Sequence, residues 1–162
     1  MSEGRVRLVP MTPSEYDRFV SDLVPDYARQ NVAAEYWESA SSLERARAEM
    51  NQLLPKGRET PDQYFFKIRR EPDNAVVGSL WFAVRRPPAT PGGFIYDIEI
   101  DPAHRRHGYA EAAMRRLEEF ARAQGVDRIA LHVFGTNSGA IDLYRKLGYE
   151  STSLLMRKRL PP

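Results

Sequence analysis

The sequence contains no cysteine among its 162 residues. This absence excludes disulfide bonds, thiolate ligands for zinc and an acyl-cysteine intermediate. Histidine is scarce too, and two of the three histidines, His104 and His107, share one loop without a carboxylate-rich partner pattern. The sequence therefore predicts no metal site.

Long apolar runs are also missing from the chain. No stretch approaches the roughly 20 residues of a membrane span, and the N-terminus lacks the apolar core of a signal peptide. We therefore expect a cytoplasmic protein without a membrane partner. Its 162 residues, 42% of them hydrophobic, predict a single domain over residues 1–162 that buries a full core.

The chain has little excess charge of either sign. Its net charge is +2, although its isoelectric point is about 9.0. The basic pairs are scattered along the chain at positions 69–70, 85–86, 105–106 and 115–116. Most of these pairs stand beside acidic residues, a pattern typical of a solvated surface. We therefore expect no nucleic-acid partner.

The most informative segment joins a strand to a helix through a basic loop. Residues 94–100 alternate, with Phe94, Tyr96, Ile98 and Ile100 on one face and Asp97 and Glu99 on the other, which predicts a strand. After the loop 101–108, apolar residues recur at helical spacing over 110–121, and a glycine at 125 suits a left-handed helix cap. Backbone N–H groups and the positive end of a helix dipole meet at such a loop, which suits a diphosphate.

A second strand and helix follow this segment. Residues 128–134 have the composition of a strand, and residues 140–147 carry apolar side chains on one side of a short helix. The order strand, helix, strand, helix predicts a right-handed parallel crossover.

The first half predicts a strand, two or three helices and an antiparallel hairpin. Thr12 to Glu15 form a capping box that opens a helix lasting until Pro25. A second capping box, Ser41 to Glu44, opens a helix that ends near residue 55. Two strands, at 64–69 and 75–85, are joined by a turn at 71–74, and a loop at 87–93 leads to the strand described above.

The loop and the second helix together resemble the GNAT superfamily of acetyl-CoA-dependent N-acetyltransferases. The family's block Arg/Gln-x-x-Gly-x-Gly/Ala is matched by Arg105, Arg106, His107, Gly108, Tyr109 and Ala110. Its block Asn-x-x-Ala-x-x-x-Tyr-x-x-x-Gly-Phe/Tyr is matched by Asn137, Ala140, Tyr144, Gly148 and Tyr149. The resemblance implies a mixed α/β fold: a mostly antiparallel sheet of about six to seven strands, one parallel crossover, a final strand, and helices on both faces.

The resemblance also implies how acetyl-CoA is held. A bulge near Ile98 to Ile100 splays that strand from residues 128–134 and admits the pantetheine arm, which binds the backbone of Ile98 and Ile100. The diphosphate lies on the cradle formed by Arg105, Arg106, His107, Gly108, Tyr109 and Ala110. Asn137, which is also a candidate helix cap, contacts the pantetheine in this scheme.

The chemistry requires a proton acceptor and a proton donor. A free lysine-like amine has a pKa near 10.4 and must lose a proton before it attacks. By resemblance, Tyr144 is the general acid that protonates the departing sulfur, although periodicity alone would make it a core aromatic. For the base, three alternatives stay open: Glu99, His132 and a chain of water molecules.

These inferences predict an enzyme that moves acetyl from acetyl-CoA directly to a primary amine. The alternative from another class is a module that senses acyl-CoA without turnover. Candidates to line the acceptor pocket are Tyr27, Glu35, Tyr36, Trp37 and the loop 87–93. The sequence leaves open the acceptor, other acyl groups and the oligomeric state, for which a homodimer is one option.

Overall fold

The structure, a computed structural model, describes residues 5–162 and divides into two compact units. One unit runs to His132 and the other from Val133 to Pro162. The single domain predicted over residues 1–162 stays a prediction. None of the helices that the structure describes combines the length and apolar content that a membrane span requires.

The first unit contains a five-stranded mixed sheet in the order β1-β2-β3-β4-β5. All neighbouring strands are antiparallel except β4 and β5, which are parallel across the predicted crossover. The strands are β1 (Val6–Pro10), β2 (Gln63–Arg70), β3 (Val76–Arg85), β4 (Gly92–Ile100) and β5 (Ile129–Leu131). The predicted mixed α/β fold is therefore confirmed, although the sheet contains five strands among the described residues and not the predicted six to seven.

Three α-helices of the first unit cover both faces of this sheet. They are α1 (Pro13–Ala33), α2 (Ser39–Leu53) and α3 (Tyr109–Ala123), with short 3₁₀ turns at Gly57–Glu59 and Pro102–His104. Helices α1 and α2 pack on the face that carries Phe65 and Trp81. Helix α3 packs on the opposite face, where Phe120 contacts Phe66 and Phe82.

Two helix predictions differ from the structure in their bounds. The capping box at Thr12 and Glu15 forms as predicted, but α1 continues past Pro25 to Ala33. Proline removes one helical hydrogen bond, yet Val24 and Ala28 on either side of it are buried against the sheet and hold both halves of the helix. Helix α2 begins at Ser39 without a side-chain cap, so the predicted capping box of residues 41–44 is wrong.

The second unit contains one helix, α4 (Ser138–Lys146), which is followed by exposed residues without a strand. The predicted final strand is therefore wrong within the residues that the structure describes. A strand exists only through pairing with a neighbour, and residues 133–162 contain no second strand with which the segment could pair.

Candidate functional site

The basic loop between β4 and α3 has a backbone conformation suited to an anion. Arg106 has a φ of 67° and Gly108 a φ of 77°, both in the left-handed region. Gly108 is the N-cap of α3, and no side chain caps this helix start. The first N–H groups of a helix lack intrahelical partners, so the start of α3 can donate hydrogen bonds to a bound anion.

The space in front of Gly108 tests whether this loop fits a phosphate. A Cβ at Gly108 would meet no other atom within 4 Å. The three loop residues before it are basic and exposed: Arg105, Arg106 and His107. An open approach to backbone amides, beside fixed positive charge, is what a diphosphate requires. The residues present therefore fit the diphosphate of CoA.

Two side chains of the predicted cradle are engaged with the protein itself. Tyr109 is only 8% exposed and shares a hydrogen bond with the side chain of Arg70. Arg105 turns back toward β4, where its Nε donates to the carbonyl oxygen of Ile100 at 3.1 Å. In this structure the loop therefore offers a phosphate its backbone and its remaining basic side chains.

The bulge in β4 lies at Tyr96, and its prediction near Ile98 to Ile100 is wrong. Trp81 of β3 pairs with Asp97, but the next residue, Phe82, pairs with Ile95, so Tyr96 is the extra residue. The ring of Tyr96 stacks on Trp81 with centroids 4.5 Å apart and contacts Phe94 at 4.7 Å. This aromatic packing explains why the irregularity occurs at Tyr96.

The bulge changes which residues share a face of the sheet. Cross-strand partners lie on the same face, so Asp97 faces α1 and α2 together with Trp81, while Ile98 faces α3 together with Leu80. The predicted alternation through residues 94–100 is therefore wrong. Since the bulge adds one residue, Tyr96 and Asp97 point to the same face although they are consecutive.

The pairing of β4 with β5 ends where the bulge begins. The last paired residues are Ile95 and Leu131, and β5 is accordingly shorter than the predicted strand 128–134. Asp101 N–H donates toward β3, to the carbonyl oxygen of Val77. Because hydrogen-bonding direction alternates along a strand, the backbone groups of Ile98 and Ile100 point to the edge that β5 has left.

Asp97 was not predicted as a site residue, yet it is the most perturbed acid of this region. It is partly buried, and no side-chain hydrogen bond or ion pair engages it within residues 5–162. Burial, together with the negative charges of Glu99 and Asp26, raises the pKa of Asp97 to about 7. A carboxyl group with this pKa can exchange protons near neutral pH.

The two predicted bases lie in different surroundings. Glu99 pairs with Ser79 on β3, shares the face of Asp97 and is 57% exposed, with Oε1 3.7 Å from Nη2 of Arg105. His132 is exposed and lies one residue beyond the end of β5.

The predicted residues of the second motif lie in the second unit. Asn137 is the N-cap of α4, where its side-chain oxygen accepts from the N–H of Ala140 at 3.3 Å, so its capping role is confirmed. Tyr144 is partly buried on α4, with its ring 5.7 Å from that of Tyr149. The roles of Asn137 and Tyr144 toward CoA stay predictions.

Of the four predicted acceptor residues between positions 27 and 37, Tyr27 and Trp37 pack into the layer over the sheet. Tyr27 donates a 2.8 Å hydrogen bond to Glu49 and contacts Trp37 edge to face at 5.3 Å. Burial, reinforced by this hydrogen bond, raises the pKa of Tyr27 to about 12. The other two, Glu35 and Tyr36, are exposed in the turn between α1 and α2. Within the predicted loop 87–93, residues 87–91 are exposed, while Gly92 and Gly93 belong to β4.

Sequence reasoning missed Asp97 because a register change decides its face. The signal available in the sequence is that Asp97 lies between Tyr96 and Ile98, in a strand composed mostly of apolar residues. Within residues 5–162, no three side chains of the metal-binding types gather into a ligand set.

Comparisons with known proteins match most of the chain. The sequence model of the Acetyltransferase (GNAT) family matches residues 20–149. YdgE of Bacillus subtilis (strain 168), named an uncharacterized N-acetyltransferase, is 33% identical over 153 residues, which are 94% of this chain and 97% of that protein. YycN of the same organism, named likewise, is 30% identical over 155 residues, 96% of this chain and 99% of that protein. The crystal structure of YycN superposes with a TM-score of 0.90 at 29% identity, covering 97% of this chain and 99% of that one.

Proposed function

Because the chain belongs to the acetyltransferase (GNAT) family, we propose that it transfers the acetyl group of acetyl-CoA directly to a primary amine. The observation that carries this proposal is the arrangement around β4. Its C-terminal end leads into the start of α3, which no side chain caps, its pairing with β5 ends at Ile95, and Asp97 lies just beyond that point. A helix start suited to phosphate, an open strand edge and a candidate proton acceptor thus lie on one continuous segment.

The loop and the edge of β4 bind the acyl donor in this proposal. Acetyl-CoA supplies an activated acyl group as a thioester. The N–H groups at the start of α3, beginning at Gly108, receive the diphosphate, and the positive end of the helix dipole favours its charge. The backbone groups of Ile98 and Ile100 bind the pantetheine amides, which replaces the missing pairing with β5.

Asp97 prepares the amine for attack. An amine that arrives as an ammonium ion gives one proton to the Asp97 carboxylate, directly or through one water molecule. The neutral nitrogen then forms a bond to the thioester carbonyl carbon, and the bond from that carbon to sulfur breaks. The thiolate takes a proton, for which Tyr144 is the proposed donor, and the second proton that the nitrogen loses as the amide forms restores the Tyr144 hydroxyl through solvent. No cysteine is present to carry an acyl intermediate, which agrees with direct transfer.

We favour Asp97 over the two bases predicted from the sequence for a physical reason. A general base works best when its pKa lies near the working pH, and burial raises the pKa of Asp97 to about 7. Glu99 is more exposed and shares an ion pair with Arg105. His132 lies beyond the paired part of β5. In the proposal, Glu99 therefore adds negative charge beside Asp97 without taking the proton itself.

A thiol-release assay tests the proposed function. The protein is incubated with acetyl-CoA and pools of primary amines, and free CoA is measured with a thiol reagent. Since the chain has no cysteine, the reagent reports CoA alone. We expect thiol release that depends on both the amine and the protein, with an N-acetyl product by mass spectrometry. Tight binding of CoA without release for any amine would instead indicate the sensor module.

A further inference from the structure

Arg85 lies at the end of β3, and the structure fixes the position of its side chain. Its guanidinium stacks 3.9 Å from the ring centroid of Phe94 and lies 5.7 Å from that of Tyr96. Its Nη2 also donates to the hydroxyl of Tyr96 at 3.3 Å. A guanidinium on aromatic rings keeps its edge N–H groups available, since the rings occupy only its face.

The charge of Arg85 is not matched by the protein. Within residues 5–162, no carboxylate lies at ion-pair distance from Arg85. The adjacent Arg86 is exposed and pairs with Asp62 at 3.1 Å. The sequence predicted that both members of this basic pair are surface charge, but the two residues lie in different environments. Partial burial of a cation without an anion costs free energy. A bound anion would remove that cost and use the free N–H groups.

Arg85 and Asp97 lie on the same face of the sheet. Arg85 is four residues beyond Trp81, the cross-strand partner of Asp97, and this spacing is about 13 Å along an extended strand. The side chain of Arg85 leans back over the intervening rings of Phe94 and Tyr96. The Arg85 guanidinium and the Asp97 carboxyl group therefore lie on one face of the sheet, with the rings of Phe94 and Tyr96 beside the guanidinium.

We propose that the acceptor is a primary amine that also carries a carboxylate or phosphate, with its anion at Arg85 and its amine at Asp97. This inference rests on the proposed function and names the substrate class of that same site. Asp26 and Glu99, whose charges act on Asp97, favour the cationic amine at that end. The carbon chain of the acceptor spans the distance between the two groups, and an extended chain advances about 3.5 Å for every three bonds.

Matched acceptors and variants test this inference. The acceptors are 6-aminohexanoate, 5-aminopentyl phosphate and hexylamine, which share a terminal amine on a chain of similar length. We expect the wild type to prefer one or both anionic acceptors over hexylamine by about tenfold or more in kcat/KM. The member that is preferred identifies the anion as carboxylate or phosphate.

Arg85→Gln should reduce that preference to within about threefold, mainly by raising KM for the anionic acceptor. Turnover of hexylamine and KM for acetyl-CoA should stay nearly unchanged, which a merely structural role of Arg85 would not predict. Arg85→Lys should keep part of the preference, since it keeps the charge and loses the bidentate geometry. Arg86→Gln is the matched control and should keep all of it.

Three outcomes would overturn the inference. They are no preference of the wild type for anionic acceptors, an unchanged preference in Arg85→Gln, or a loss of kcat/KM in Arg85→Gln that is equally large with hexylamine. Each of these leaves acetyl transfer itself intact, so the proposed function would stand. If no amine supports turnover, the proposed function fails, and calorimetry on the CoA-loaded protein decides the inference separately. Stronger binding of 6-aminohexanoate or 5-aminopentyl phosphate than of hexylamine supports it, and equal binding refutes it.

Discussion

The two ends of β4 contribute to the candidate site in different ways. The C-terminal end, from Asp101 to the start of α3, offers mainly backbone groups, whose directions follow from local conformation at Arg106 and Gly108. The central part, around Tyr96 and Asp97, offers side chains whose directions follow from pairing with β3. A backbone site is encoded by the residues that form it. A side-chain site on a sheet depends also on the neighbouring strand.

Substituting Asp97 tests the side-chain end with the largest expected effect. Asp97→Asn keeps the size and removes the proton acceptor, so kcat/KM at pH 7 should fall by about 10²- to 10³-fold. The affinity for CoA, measured by calorimetry, should change by less than threefold. A rate near that of the wild type would exclude Asp97 as the base.

The pH profile distinguishes the base from a residue that only shapes the site. The rate of the wild type should rise with pH through a limb near pH 7, where Asp97 loses its proton. The negative charge of Asp26 helps to raise that pKa, so Asp26→Asn should move the limb to lower pH while most of the maximal rate remains. A limb that Asp26→Asn leaves in place would contradict the assignment.

The backbone end can be tested with two glycines of the same conformation. Gly108 and Gly125 have φ values of 77° and 78°, and an added Cβ at either meets no other atom within 4 Å. Alanine should therefore strain both positions by a similar amount, on the order of 1 kcal/mol. Only Gly108→Ala places a methyl group where the diphosphate approaches, so its Kd for CoA should rise about tenfold.

Gly125→Ala is the control and should keep the Kd for CoA within about twofold of the wild type, with a similar loss of thermal stability. Equal Kd values for the two variants would mean that the start of α3 does not hold the diphosphate. A larger loss at Gly108 alone would sharpen the contrast between the backbone end and the side-chain end.

The features that the sequence predicted correctly are those decided by nearby residues. The capping box at Thr12 and the cap at Asn137 depend on contacts three residues apart. The crossover from β4 through α3 to β5 follows from the order of the elements. Each of these could be predicted because its cause lies within a few residues or in the order of segments along the chain.

The features that the sequence did not predict depend on distant residues. Continuation of α1 past Pro25 needs the burial of Val24 and Ala28 against the sheet. The bulge at Tyr96 needs the ring of Trp81, fifteen residues earlier, and it decides that Asp97 faces α1. The separation of Arg85 from Arg86 needs the rings of the next strand. No periodicity within one segment contains these causes.

The pH dependence of the free energy of unfolding should reveal what it costs to ionise Asp97 in the folded protein. Its pKa in the folded chain is raised from an ordinary value of 3.8 to about 7, so between these pH values the folded state binds a proton that the unfolded chain has lost. Stability must then fall as the pH rises through this range. Asp97→Asn removes this loss and should be more stable than the wild type by about 1–3 kcal/mol at pH 8.

The gain should shrink as the pH falls below 7 and disappear near pH 4, where Asp97 is protonated in the folded chain. Urea unfolding of both proteins at the two pH values measures it. A variant that is less stable than the wild type at pH 8 would show that the Asp97 carboxylate stabilises the fold. In that case, the proposed base would not lower the stability of the side-chain end of β4.

The smallest expected effects concern the bases that the sequence favoured. Glu99 and Arg105 form an ion pair whose side chains are 57% and 56% exposed, and such pairs contribute at most about 1 kcal/mol. Glu99→Gln and His132→Asn should each change the maximal kcat/KM by less than about threefold. His132→Asn should leave the acidic limb in place, whereas Glu99→Gln removes a negative charge that raises the pKa of Asp97 and should move the limb to lower pH without abolishing it. Because Glu99 lies between Asp97 and the loop, Glu99→Gln also tests whether the two ends of β4 act independently. Loss of the limb in Glu99→Gln, with Asp97→Asn nearly normal, would transfer the role of base to Glu99, and loss of the limb in His132→Asn would transfer it to the end of β5.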